Sequence, residues 1–139
     1  MGDAVTLYII GLLLGLNAAH AEQNAQCRSV ETAKSHHLYA KFNIAGPLEI
    51  QNVTIGYIDP STSKMVELAS AADVQGVQST TVNNDTAQKL VRYVIAGHEG
   101  GVDRLYLPQN ASGNFSAILR HQFDKDDRPF TDKMDCSAQ

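Results

Sequence analysis

Apolar positions in this chain fall into three textures. From Val5 to Leu16 an uncharged, mostly apolar run (VTLYIIGLLLGL) is almost unbroken. Over RSVETAKSHHLYAKF, residues 28–42, the pattern thins, and Val30, Ala33, His37 and Ala40 recur at the three- and four-residue intervals of one helix face. From Leu48 onward apolar residues alternate with polar ones and are largely β-branched or aromatic. The pattern therefore predicts a short amphipathic helix after Cys27, with Glu31 early and bases later, as the helix dipole favours. Strands are predicted over Leu48–Ile58, Lys64–Leu68, Gln78–Val82, Lys89–Ala96, Asp103–Leu107 and Phe115–Gln122. Asp59-Pro60-Ser61, Asn83-Asn84-Asp85, residues 97–101 and residues 108–113 separate them with turn chemistry. The tail, residues 123–139, reads as an irregular segment pinned by Phe130 and Cys136. One helix packed on a mostly antiparallel sheet is an α+β arrangement.

Alternation also places side chains. On Asp103–Leu107, Leu105 and Leu107 share the core face, opposite Arg104 and Tyr106. On the last strand Phe115, Ala117, Leu119 and His121 share a face, opposite Ser116, Ile118 and Arg120. A loop of hairpin length joins the two strands, so antiparallel pairing brings Arg104 and His121 to one end of the sheet.

The N-terminal apolar run is too short to cross a membrane, which takes about 20 apolar residues. It is followed by Ala19-His20-Ala21, the small-x-small form of a signal-peptide cleavage site, although no Lys or Arg precedes the run. Residues 1–21 are expected to be a signal peptide and residues 22–139 a single domain, secreted and without a membrane anchor. In such a chain Cys27 and Cys136 read as one disulfide tying the two ends together, and a pair of Cys without neighbouring ligands does not make a zinc site. The formal net charge is −4, one unit of which Asp3 removes with the leader. That balance gives no broad attraction for nucleic acid or anionic membrane, so any RNA contact must be local. Asn52, Asn84, Asn110 and Asn114 head glycosylation sequons, which are meaningful only in a eukaryotic source.

Residues 93–123, YVIAGHEGGVDRLYLPQNASGNFSAILRHQF, taken with Phe130 and Cys136, resemble the C-terminal part of the small secreted microbial ribonucleases, especially the fungal guanyl-preferring ones. The shared features are an aromatic-x-Ile strand, a Gly-rich loop, Gly-x-Asp-Arg before an apolar strand, and a strand ending near a His. The resemblance implies a ribonuclease-like fold in which Arg104 stabilises the phosphorane and His121 is the general acid. It also calls for a Glu general base just before Tyr93, where this chain has Val91 and Arg92, so Arg92 marks a degenerate base position. A ribonuclease-like domain without its base is similar to the catalytically degenerate RNase-like effectors of plant-pathogenic, powdery-mildew type fungi. The aromatic-x-Cys start of that group is absent here, since Ala25 stands two before Cys27.

Other candidates have simpler readings. His36 and His37 point about 100° apart on a helix and do not ligate one metal ion easily. Residues 97–101 lack the following helix and Lys of a phosphate loop, and DKDD at 124–127 lacks calcium-loop spacing, so no metal or cofactor is expected. Three functional readings follow. The first is a secreted, monomeric, non-catalytic RNase-like effector, delivered into host cells and binding host protein or RNA in virulence. The second is an active ribonuclease forming a 2′,3′-cyclic phosphate, and the third a secreted β-sandwich module of the adhesion or inhibitor kind. The third predicts no helix after Cys27 and no shared cleft for Arg104 and His121.

Overall fold

Period-two alternation extends well beyond the six predicted strands. The computed structural model describes residues 22–83 and 86–139, so the expected leader and the Asn84 sequon lie outside the described residues. Nine strands follow in order: β1 (Gln23–Ser29), β2 (Leu38–Gly46), β3 (Glu49–Ile58), β4 (Met65–Gln75), β5 (Val77–Asn83), β6 (Thr86–Ala96), β7 (Val102–Pro108), β8 (Gly113–Gln122) and β9 (Phe130–Ala138). Among the described residues there is no helix, and the α+β, ribonuclease-like expectation is corrected to an all-β fold.

Burial explains the correction. A helix over residues 28–42 would have packed Val30, Ala33, His37 and Ala40, with only one mid-sized apolar side chain among them. As strand β2, the same stretch sends Leu38, Ala40 and Phe42 inward, all buried, with Ile44 packed against them. Fully burying a residue such as Leu38 or Phe42 is worth about 1.5–3 kcal/mol each, more than a weak helical preference supplies. Strand β1 turns Ala25, Cys27 and Ser29 inward, side chains too small or polar to register as a hydrophobic stripe. The expected irregular tail is strand β9, in which Asp132, Met134, Cys136 and Ala138 are buried and alternate with exposed polar residues.

All pairing is antiparallel, in the order β4-β3-β2-β1-β9-β8-β7-β6-β5. Apart from β4 and β5, each strand lies beside its neighbours in sequence, and the first and last strands lie beside each other. Strands β4 and β5 are two arms of one run on either side of Gly76, the first arm paired with β3 and the second with β6. The sheet curls until β4 meets the end of β6, where Ala69 bridges Gly97 and the His98 N–H donates to the Leu68 carbonyl at 3.0 Å. The result is a meander rolled into a barrel-like shell whose interior is filled by side chains. Gly76 makes the corner possible, because a Cβ there would stand 2.7 Å from the Tyr93 ring and would overlap Val91.

Cys27 and Cys136 face each other across the β1–β9 ladder, with Cα atoms 4.1 Å apart, and form the expected disulfide. Residues 22–23, 47–48, 109–112 and 139 gather at one end of the shell. Residues 30–37, 59–64, 97–101 and 123–129 form the connections at the other end. That second end carries the chemistry.

Candidate functional site

Alternation along β7 sends Asp103 inward together with Leu105 and Leu107, and along β8 it sends His121 inward together with Ala117 and Leu119. Asp103 and His121 are register partners, so the hairpin sets a carboxylate against an imidazole inside the shell. His121 Nδ1 lies 2.6 Å from Asp103 Oδ1, with the side chains 3% and 0% exposed. The other two polar atoms of the pair, His121 Nε2 and Asp103 Oδ2, are buried without a hydrogen-bond partner. Buried polar groups in native proteins are nearly always paired, so these two atoms call for a partner that the neighbouring side chains do not supply. Phe123 meets the His121 ring edge-on at 4.4 Å between centroids, and Phe130 packs at 5.3 Å.

A second His–Asp pair stands next to the first. His36, in the β1–β2 connection, stacks on Phe130 at 3.9 Å, and its Nδ1 lies 2.5 Å from Asp132 Oδ1. Asp132 Oδ2 accepts from Ser29 Oγ at 2.5 Å and from the His36 N–H at 2.8 Å, while Ser29 Oγ accepts from the Leu38 N–H at 2.8 Å. Burial pushes the Asp132 carboxyl up, but the hydrogen bonds from His36 and Ser29 outweigh it and hold the group below the usual carboxylate range. This network fastens the 30–37 connection onto β9. The third pair, His98 Nε2 to Glu67 Oε2 at 2.5 Å, lies exposed on the rim.

The rim and the buried dyad share one cleft of about 410 Å³, lined by Tyr57, Val66, Glu67, Leu68, Gly97, His98, Glu99, Gly101, His121, Phe123 and Asp124. Its lining holds three carboxylates and two aromatic rings but no Lys or Arg. It also holds no Ser, Thr or Cys. With Asp103 ionised, Nδ1–H donates to it and Nε2 presents a lone pair, able to accept a hydrogen bond or a proton. Among the described residues no group of three or more His, Cys, Asp or Glu is arranged to hold a metal ion. At the opposite end, a smaller cleft of about 280 Å³ is walled by Tyr93, whose phenol burial pushes up to about 12.

Comparison of the chain with protein-family models, curated proteins and solved structures gives no match.

The residues that the ribonuclease resemblance singled out are separated by the sheet. Arg104 and His121 are at the same end, as the hairpin implied, but Arg104 projects from the outer face and His121 from the inner one. Arg104 stands opposite Arg120 instead, with Val94 on its other side. Arg92 is exposed on the outer face of β6, beside Tyr106. Asp103, Asp132 and His36 were missed as site residues. The signal for Asp103 was present, since it alternates in phase with Leu105 and Leu107. The likeness that carried the resemblance thus lies in sequence order along β6–β8, and the helix-first arrangement that it implied is absent.

Proposed function

We propose that this chain is a secreted, non-enzymatic binding module that takes a small organic cation, an ammonium or guanidinium with an apolar body, in the cleft at its histidine-bearing end. The observation that carries this reading is a cleft walled by His121, Tyr57 and Phe123 whose only charged lining groups, apart from imidazole, are carboxylates. Glu99 and Asp124 balance the ligand's charge, and Tyr57 and Phe123 cover its apolar part and favour a cation over their faces. Secretion is supported by the disulfide, which persists in oxidising compartments, together with the leader-like N-terminal sequence. The third reading of the sequence, a β-sandwich module of the adhesion or inhibitor kind, has in common with the structure the lack of a helix after Cys27, although the strands form one curled sheet and not a sandwich.

Thermal-shift titration with phenethylammonium, phenethyl alcohol and phenylacetate tests the proposal. The ammonium is expected to raise the melting temperature of the wild type and to lose that effect in the Glu99→Gln/Asp124→Asn variant, where both changes are at exposed positions. Equal shifts from all three compounds would overturn the charge argument. No shift from any of them up to millimolar concentration would overturn the cleft as a ligand site.

A further inference from the structure

The outer wall of β6–β9 carries a second feature that is independent of the cleft. Register places Arg92, Tyr106, Ile118 and Lys133 in one row across the four strands, and Val94, Arg104, Arg120 and Thr131 in the next. All eight side chains project outward, and none is buried. Four cations thus surround an aromatic and an aliphatic side chain on an area two residues deep and four strands wide. Among the described residues no ion pair involves any of the four. The nearest outward acid is Asp135, opposite Arg28 on β1 and two residues beyond Lys133.

This arrangement runs against what a sheet favours by itself. Like charges directly opposite each other on one face are destabilising, and Arg104 and Arg120 are direct register partners. The protein as a whole has a formal net charge of −4, so the cations are concentrated here against the trend of the chain. A guanidinium presents a fork of donors that matches sulfate or carboxylate oxygens two at a time. A row of such groups around Tyr106 fits a linear polyanion lying across the strands.

We propose that the outer face of β6–β9 is a docking surface for an anionic polysaccharide, a sulfated or uronate-bearing chain, with Arg92, Arg104, Arg120 and Lys133 as its charge contacts and Tyr106 as the platform beneath its sugar rings. Charge complementarity argues for a polyanion, and the disulfide argues for a compartment outside the cytosol, where polysaccharides supply that charge.

The test is titration of the disulfide-intact protein with dextran sulfate, at several salt concentrations, beside two charge-matched variants. Arg104→Gln/Arg120→Gln removes two cations from the wall, and Lys34→Gln/Lys64→Gln removes two from loops elsewhere. The wild type is expected to bind at low salt. The wall variant should bind at least tenfold more weakly, with a salt dependence shallower by about two in log–log slope, whereas the loop variant stays close to wild type. Because relief of the Arg–Arg contact favours folding, the wall variant should also melt no lower than wild type. Absence of binding at low salt, or an equal loss in both variants, would overturn the surface. Tighter binding of a single-stranded oligonucleotide than of the polysaccharide would overturn the occupant.

Discussion

Replacing His121 by leucine removes the one hydrogen-bond partner that the Asp103 side chain has among the described residues and leaves a carboxyl group inside the shell with both oxygens unpaired. Removing the hydrogen-bond partner of a buried carboxylate costs about 3–5 kcal/mol, because the group left behind keeps the whole desolvation penalty. At roughly 4 °C per kcal/mol for a domain of this size, the melting temperature should fall by about 12–20 °C. Asp103→Val should cost a similar amount by stranding both ring nitrogens of His121. The combined Asp103→Val/His121→Leu variant exchanges the pair for apolar side chains in a shell already lined by Leu105 and Leu119, and such exchanges range from neutral to about 4 kcal/mol stabilising. Urea denaturation of the four proteins closes a double-mutant cycle, and the expected coupling exceeds about 3 kcal/mol. If the two single changes were additive, or if His121→Leu were as stable as wild type, the pair would not be a desolvated unit and the reasoning about its free Nε2 would fail. A double variant that is stable but no longer responds to phenethylammonium would assign the pair to binding rather than to folding.

Three further outcomes follow from other parts of the shell. Cys27→Ala/Cys136→Ala opens a cross-link spanning 109 residues and should lower stability by about 2–5 kcal/mol in urea titrations. Asp132 is held below the usual carboxylate range in the folded protein, so its contribution is present above the unfolded value near ~3.9 and is lost as pH falls through the folded one. Amide exchange in residues 30–37 should therefore accelerate below about pH 4 in the wild type, and Asp132→Asn should remove that acid step. Gly76→Ala puts a methyl group against Val91 and the Tyr93 ring at the β4–β5 corner, and an overpacking cost of about 1–3 kcal/mol is expected in thermal melts.

Six of the nine strands were anticipated, most clearly β3, β6, β7 and β8, where Val, Ile, Leu and aromatic residues recur with a period of two; β4 runs on to Gln75, past the expected end at Leu68, because its second half, ASAADVQ, is small and polar. The inward turn of His121 and the outward turn of Arg104 were fixed by the same alternation. What stayed hidden is where the inward positions are small or polar. In β1 they are Ala25, Cys27 and Ser29, and in β9 an aspartate, Asp132, interrupts the apolar series. Asp132 is an inward residue only because Ser29 and His36 satisfy it from a strand and a loop that are about a hundred residues away in sequence. A chain read by hydrophobicity alone has no means of anticipating such a satisfied buried acid. Asp103 is the same case: its neighbours in the strand place it inside, but only its pairing with His121 across the hairpin makes that position tolerable. The helix expected over residues 28–42 failed for a related reason, since Leu38-x-Ala40-x-Phe42 follows a period of two that outweighs the sparser helical recurrence.

The first and last described segments run antiparallel beside each other, with the Asn24 N–H donating to the Gln139 carbonyl and the Gln139 N–H donating back to that of Asn24. Just inward of them, Cys27 and Cys136 are covalently joined. A tensile force applied at the two termini therefore travels along a few terminal residues, crosses the disulfide and leaves. The 109-residue span between the cysteines carries no load at all. Residues 22–26 and 137–139 peel apart like a zip that stops at its first rivet, while the cleft and the cationic wall keep their shape. Reduction of that single bond would let the same pull reach the span between the cysteines and draw the sheet apart from the β1–β9 seam.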